Sequence, residues 1–347
     1  MTQAQNIEQA AHLLKQGEVV AFPTETVYGL GAVINNEEAL KKIFSTKERP
    51  FFDPLIVHVA SIDEAKKCFN NWNHVAQALA EKFWPGPLTL VMAKSTLISD
   101  VITSGLPSVG VRMPNHKLAL ELIKEVGVPL AAPSANKFGK TSPTKASHVR
   151  KELGDTVFVL DDTENEKMNH QNYVGIESTV LMVKEINKEV YQLAILRKGG
   201  VVKTQIETVL ETYSLESKVQ WLEQIDKKES PGHMKHHYMP EIPFVVCRNP
   251  SLKLSQLADL VNKRLNELPD VIEEVKIIKP KSKIEKIEFL RLSQDANQAA
   301  RELYAQLRLA SERKPDLLCY IQMPQNNSEM WESVYDRLYK AASLIID

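Results

Sequence analysis

The chain has 347 residues, enough for roughly two domains of ~150 residues each. Hydrophobic residues make up 43% and charged residues 25%, which excludes a wholly disordered or collagen-like chain. Lys and Arg number 43 against 44 Asp and Glu, a net charge of -1. That excludes a strongly basic nucleic-acid coat but leaves room for a local basic site.

The first expected helix carries Ile7, Ala10, Ala11 and Leu14 at i, i+3, i+4 and i+7, with Gly17 as its stop. VVAFPT (19–24) reads as a buried strand. EEALKKIF (37–44) reads as a helix capped by Asn35 or Asn36, and PLIVHVA (54–60) as a strand. Ser61 and Glu64 form a capping-box pattern for the next helix. PLTLVMA (87–93), SVGVRM (108–113) and VPLAAPS (128–134) are further strands, with an Asn-capped helix at 115–127 between the last two. A helix at 144–152 with Ser142 or Thr144 as cap follows, then strands at TVFVLDD, STVLMV and YQLAILR. Helices and strands alternate irregularly, so the expectation is a mixed α/β sheet.

Residues 214–243 are polar, hold three prolines near their end and show no sustained period, which marks a linker with a short helix around Val219–Ile225. Beyond it, strands at 243–248, 275–279, 287–292 and 316–323 alternate with helices at 251–268, 297–313 and 330–345, a small Rossmann-like α/β domain. The expected division is therefore 1–213, a linker at 214–243, and 244–347. Cys68, Cys247 and Cys319 form no CxxC pair and no disulfide framework, as in a reducing cytoplasm. The N-terminus is amphipathic and polar rather than a signal peptide, and no apolar run reaches ~18 residues, so no membrane span is expected.

GxGxxG, GxSxG and HExxH are absent, and Gly139-Lys140-Thr141 fails as a P-loop because Ser134 stands where its first Gly belongs. Four segments carry polar groups at strand ends. Pro23-Thr24-Glu25-Thr26-Val27-Tyr28-Gly29-Leu30-Gly31 runs from a strand into hydroxyls, an acid and two glycines that permit close approach; a plain strand–turn–helix corner accounts for it equally. Lys47-Glu48-Arg49-Pro50 puts two cations on an aperiodic loop, because Pro50 drives Arg49 out of the helical region. Such cations grip phosphate, or simply complement a helix end. Ser108, Gly110 and Arg112 share one face of an apolar strand, where an Arg requires an ion pair or an anion. Ala131-Ala132-Pro133-Ser134-Ala135-Asn136, with Gly139 and Thr141-Ser142, combines small residues with orientable hydrogen-bonding groups. His233, His236 and His237 lack further ligands nearby in sequence, so no zinc is expected.

Taken together, FPTETVYGLGA, KERPFFDPLIVHV, FWPGPLTLV, SVGVRMP, PSANKFGKTSPT, ESTV and ILRKGG resemble, in content and order, the YrdC-like catalytic domain of the threonylcarbamoyl-AMP synthases. The likeness covers residues ~5–205, and SPGHMKHHYMP is similar to the linker of the two-domain form. The resemblance implies an open twisted mixed sheet around a cationic cavity, plus a smaller C-terminal α/β domain. It implies a nucleotidyltransferase that joins L-threonine, bicarbonate and ATP, with Mg2+ on the ATP, to threonylcarbamoyl-AMP and pyrophosphate. A tRNA threonylcarbamoyl-transfer complex would act downstream, with only weak or indirect tRNA contact here. By position, Thr26, His58, Arg112, Ala132 (through its backbone) and Ser178 would hold threonine. Lys47 and Arg49 would be catalytic. Arg49, Asp53, Ser108, Ser134, Asn136, Ser142, Arg197 and Tyr238 would face ATP, Tyr238 reaching back from a linker that closes over the nucleotide. Two departures stand out: Glu48 where the family often has Gly, expected to point away from phosphate, and Asp53 where many members have Asn, free to touch Mg2+ or to pair with Arg49. The rival reading is an RNA-binding module of the same fold, against which the net charge and the lack of an aromatic platform argue.

Overall fold

A computed structural model describes residues 2–51, 53–162, 173–222, 236–249, 254–272, 275–280, 284–324 and 326–347. Contacts sort the chain into two units, Met1–Lys137 with Pro143–His233, and Phe138–Ser142 with Met234–Asp347. Five residues of the small-residue segment thus belong with the second unit.

The first unit runs α1 (Gln3–Lys15), β1 (Val20–Phe22), β2 (Gly29–Val33), α2 (Glu37–Lys47), β3 (Ile56–His58), α3 (Ile62–Cys68), α4 (His74–Phe83), β4 (Leu88–Ala93), α5 (Asp100–Thr103), β5 (Ser108–Arg112), α6 (Lys117–Val126), β6 (Leu130–Ala131), α7 (Ala146–Leu153), β7 (Phe158–Val159), β8 (Thr179–Asn187), β9 (Val190–Arg197), α8 (Lys203–Thr212) and β10 (Val219–Trp221). Its strands form one mixed sheet in the order β10-β9-β8-β4-β5-β3-β6-β2-β1-β7. The first helix buries Ile7, Ala10, Ala11 and Leu14, the stripe that its period dictates, and packs against α6.

Several local expectations change. Gly29-Leu30-Gly31 is not a turn into a helix but the start of β2, antiparallel to β1 with Phe22 opposite Gly29. Its glycines serve close approach: a Cβ on Gly31 would fall 2.7 Å from the Phe22 ring. The stretch expected as a helix at 219–225 begins instead as β10, parallel to β9, with the Lys203 ammonium 4.9 Å over the Trp221 ring. Residues 223–235 lie outside the described residues. Asn36 caps α2 as expected. Neither Ser142 nor Thr144 caps α7, which starts after Lys145 without a side-chain cap; the Thr144 N–H donates to His148 Nδ1 at 3.3 Å. Likewise His116, not Asn115, precedes α6, and its ring is engaged by Asp162 at 2.8 Å.

The second unit holds β11 (Phe244–Cys247), α9 (Leu254–Glu267), the hairpin β12 (Val271–Ile272) and β13 (Val275–Lys276), β14 (Ile287–Phe289), α10 (Ala296–Glu312), β15 (Leu317–Ile321), α11 (Glu329–Ala341) and β16 (Leu344–Ile346). Its sheet is parallel, in the order β14-β15-β11-β16. The closing helix stops earlier than expected, and residues 344–346 form the last strand, because the Ser343 N–H has already joined the Phe244 carbonyl at 2.8 Å. The segment expected as a strand at 275–279 supplies only one arm of a hairpin outside that sheet. Among the described residues, no helix is long and apolar enough to cross a membrane.

One glycine ties the fold to the polar cluster described next. A Cβ on Gly199 would fall 2.5 Å from the Glu177 carbonyl oxygen and closer still to the Ser178 and Thr179 backbone. Thr179 clamps the same crossing: its Oγ1 donates to the Val201 carbonyl at 2.5 Å and accepts from the Val201 N–H at 3.0 Å. Backbone has nowhere to retreat, so Gly199→Ala is expected to cost about 3 kcal/mol, read as a lower urea midpoint at unchanged m-value.

Candidate active site

Strand register builds the first cluster. In the parallel pair β3–β5, His58 lies opposite Arg112. Arg112 is buried at a strand end and must therefore find partners. Its Nη1 donates to Glu25 Oε1 and Thr26 Oγ1, each at 3.1 Å, and its Nη2 lies 3.1 Å from His58 Nε2. Arg112 has only donors, so His58 Nε2 must present its lone pair. His58 Nδ1 then carries the hydrogen and donates to the Ile56 carbonyl at 3.1 Å. Burial, reinforced by the Arg112 charge, holds the His58 pKa well below its usual 6.5, in keeping with a neutral ring. Phe22 packs edge-on against that ring at 5.9 Å, so the glycines that make room for Phe22 also help to fix His58.

The turn after β1 is locked from within. Thr24 Oγ1 donates to the Val27 carbonyl at 2.7 Å and sits 2.8 Å from Thr26 Oγ1. Ser178 enters from the other side, 2.8 Å from Thr89 Oγ1 on β4. Arg197, at the end of β9, donates through Nε to the Ser178 carbonyl and through Nη2 to Ser178 Oγ, both at 3.1 Å. The Ala132 N–H is taken by the Ile56 carbonyl at 2.9 Å, which fixes the β6 end beside β3. Thr26, His58, Arg112, Ala132, Ser178 and Arg197 are all buried. Glu25 and Thr89 were not singled out as site residues from sequence. Glu25 was visible within the hydroxyl-acid-glycine segment, whereas Thr89 lies in the FWPGPLTLV motif, where an apolar strand hides its polar partnership.

The cation segment is not the open loop its sequence suggests. Lys47 is the last residue of α2 and is 1% exposed; Arg49 is 7% exposed. The Lys47 ammonium donates to the Ser134 carbonyl at 2.5 Å and to the Asn136 carbonyl, tying α2 to the small-residue segment. Arg49 donates through Nε and Nη2 to the Asp53 carbonyl at 3.2 and 3.0 Å, and through Nη2 to the Pro54 carbonyl at 2.9 Å. Its guanidinium also pairs with Asp53 Oδ2 at 2.9 Å, so the acid pairs with Arg49. Glu48 is in the left-handed region at φ 52°, ψ 39°, as the C-cap of α2. A glycine there would avoid the strain of a left-handed backbone. The Glu48 carboxylate reaches outward to Lys137 Nζ at 2.6 Å, in an exposed pair. Ser108, half-buried, opens β5.

Ser142 and Tyr238 fall in the second unit. Tyr238 is buried at φ 66°, with its carbonyl accepting from Thr141 Oγ1 at 3.0 Å and its ring 5.5 Å from that of Tyr304. His236 Nδ1 lies 3.2 Å from the Ala342 carbonyl, and the His237 N–H donates to the Lys340 carbonyl at 2.9 Å. His233 and residues 223–235 of the expected lid lie outside the described residues. Among the described residues, no group of three His, Cys, Asp or Glu side chains is arranged to hold a metal ion.

Comparison with known proteins adds an independent line. Residues 12–199 match the Sua5/yciO/yrdC family, described as telomere recombination, and residues 201–343 match the family described as threonylcarbamoyl-AMP synthase, C-terminal domain. The chain is 42% identical over 252 residues to the threonylcarbamoyl-AMP synthase of Bacillus subtilis, covering 72% of this chain and 69% of that one. It is 40% identical over 263 residues to that of Pyrococcus abyssi, covering 76% and 72%. The crystal structure of P. abyssi Sua5 complexed with L-threonine is similar with a TM-score of 0.77 at 31% identity, over 100% of this chain and 97% of that one.

Burial, with repulsion from Arg49, pushes the Lys47 ammonium from 10.5 down to about 7, against the pull of Glu152 and Asp53. Below about pH 7 the folded and unfolded chains both hold this proton, and the burial penalty is fully present. Between about 7 and 10.5 only the unfolded chain holds it, so stability rises with pH. Relative to Lys47→Met, the unmodified protein should therefore gain stability from about pH 7 to about pH 10, by at most about 1.4 kcal/mol per pH unit. Paired denaturation curves across that range check it; a constant difference would mean that Lys47 titrates as an ordinary lysine.

Proposed function

The chain belongs to the Sua5/YrdC family of threonylcarbamoyl-AMP synthases, and from that membership we propose that its first unit condenses L-threonine, bicarbonate and ATP into threonylcarbamoyl-AMP and pyrophosphate. The observation that carries this reading is the buried cluster of Thr26, His58 and Arg112, with Ser178 also buried and bonded to Arg197. It gathers a guanidinium, hydroxyls and a neutral imidazole in one place, groups suited to a carboxylate and a hydroxyl of one small amino acid. Lys47, Arg49, Asp53, Ser108, Ser134, Asn136 and Arg197 serve the nucleotide in this reading. The product would go to a tRNA threonylcarbamoyl-transfer complex in the cytoplasm.

The neutral amine of threonine forms an N–C bond with carbon dioxide, releasing a proton to solvent, or with bicarbonate, releasing water, and gives an N-carboxylate. That carboxylate attacks the α-phosphorus of ATP, and pyrophosphate leaves with the electron pair of the broken P–O bond. No covalent enzyme nucleophile is needed, so the work is positioning and charge stabilisation. Arg112 fixes the amino-acid carboxylate while neutral His58 and Thr26 orient the rest. Lys47 spends two of its three N–H bonds on the Ser134 and Asn136 carbonyls. The third is available to a phosphate oxygen, and an arriving polyanion favours the protonated ammonium. Arg49 is held ready by Asp53 and the 53–54 carbonyls. Magnesium carried on the triphosphate would add positive charge at the phosphate oxygens, and Asp53 is the acid placed among these cations.

Pyrophosphate release from ATP should require threonine and bicarbonate together; release unaffected by omitting either would remove the assignment. Lys47→Met should lower that rate 10²–10³-fold, about 3–4 kcal/mol of transition-state stabilisation. Since Lys47 is buried and tethers two carbonyls, its fold must be verified in parallel.

Selectivity should be uneven. Rejecting valine depends on the pocket pairing a hydroxyl, whose loss leaves buried polar groups unmatched at about 1–3 kcal/mol. Rejecting serine depends on one methyl, about 1 kcal/mol. Serine should therefore be the main competitor in a kcat/KM comparison, and equal use of valine would contradict this pocket.

A further inference from the structure

We infer that Glu25 is the residue that recognises the α-ammonium of the amino-acid substrate, with Arg112 taking its carboxylate. The inference rests on the reading of this cluster as the threonine pocket and adds a residue to it.

The argument starts from what the buried pair leaves unmatched. Glu25 is 2% exposed and Arg112 is 4% exposed. Glu25 Oε1 accepts from Arg112 Nη1 at 3.1 Å. Among the described residues, the second carboxylate oxygen, Oε2, is buried with no hydrogen-bond partner, and so is Arg112 Nε. One ion pair thus carries an unused anionic acceptor and an unused cationic donor. Buried groups of this kind are ordinarily satisfied, so the pairing suits a ligand that supplies both complements. An α-amino acid is such a ligand: its carboxylate accepts and its ammonium donates.

The surrounding charges agree. Arg112 feels Arg197 as a second cation, and Glu25 and Glu177 as anions. His58 contributes no charge, because its Nε2 faces Arg112 as an acceptor. Two cations and two anions leave a cluster with no net charge, which matches a zwitterion better than a bare carboxylate. Glu25 is also held rigidly. Its carbonyl accepts from the Val174 N–H at 2.8 Å, and Thr24 and Thr26 on either side are bonded to each other. Position is therefore fixed before substrate arrives. The competing reading is that Glu25 is only the counter-ion of Arg112.

Calorimetric binding to the full chain separates the two readings. The probes are L-threonine and 3-hydroxybutyrate, which is threonine without its amino group. For the unmodified protein, 3-hydroxybutyrate should bind at least ~100-fold more weakly than threonine. Glu25→Gln should weaken threonine at least ~10-fold and leave 3-hydroxybutyrate within ~3-fold. Equal weakening of both probes, or undiminished threonine binding in folded Glu25→Gln, assigns Glu25 to a counter-ion role and overturns the inference. Should Glu25→Gln fail to fold, the unmodified protein decides alone, since comparable affinity for the two probes overturns it. Absence of threonine binding to the unmodified protein would instead overturn the functional reading itself.

Discussion

A guanidinium buried at the end of a strand sets the terms for the first unit. Arg112 cannot shed its charge, and the apolar sheet offers it no water. Three segments far apart in sequence must therefore converge on it: the turn carrying Glu25 and Thr26, the end of β3 carrying His58, and by charge the Arg197 and Glu177 region. The convergence is a condition of folding before it is a feature of catalysis. It also decides the imidazole tautomer, since a ring facing an obligate donor must keep a lone pair there.

Close backbone approach is the second constraint, and it works through glycine. Gly29 and Gly31 clear the space filled by the Phe22 ring, which in turn abuts His58. Gly199 lets the chain after β9 cross the Glu177–Thr179 backbone, where Thr179 Oγ1 bridges to Val201. Both crossings deliver site residues to strand ends; a Cβ would meet immovable backbone at Gly199, and the Phe22 ring at Gly31. The Lys47 tether to Ser134 and Asn136 does comparable work between α2 and the small-residue segment. A cation expected on an aperiodic loop is thus already part of the scaffold, and burial lowers its proton affinity.

The second unit is stabilised by different means. Its sheet is parallel, with β15 and β11 at its centre and Val245, Leu317, Cys319 and Ile346 in the core. The segment 138–142 is part of this unit through hydrogen bonds from the Met239 N–H to the Gly139 carbonyl and from Thr141 Oγ1 to the Tyr238 carbonyl. Arg308 on α10 donates to the Thr141 carbonyl as well. The left-handed backbone of Tyr238 and its burial beside Tyr304 fit a fixed structural element better than a loose tether.

Periodicity alone determined the helices, because an amphipathic stripe is a local property: α1 was legible down to its buried positions and α10 in its extent. Motif content and order determined the family, and strand alternation placed Arg112 on a polar face. What the sequence could not decide was which partner each polar group would choose. Asp53 could serve a metal or Arg49, and only the folded loop joins it to Arg49. Glu48 was expected to point away from phosphate, but only the folded helix end gives it its left-handed backbone and Lys137 as its partner. β2, β10 and β16 were missed or misread because a short strand is defined by the neighbour that pairs with it, and pairing depends on residues many positions away. Local order is written in spacing, whereas burial and partnership arise only when distant segments meet.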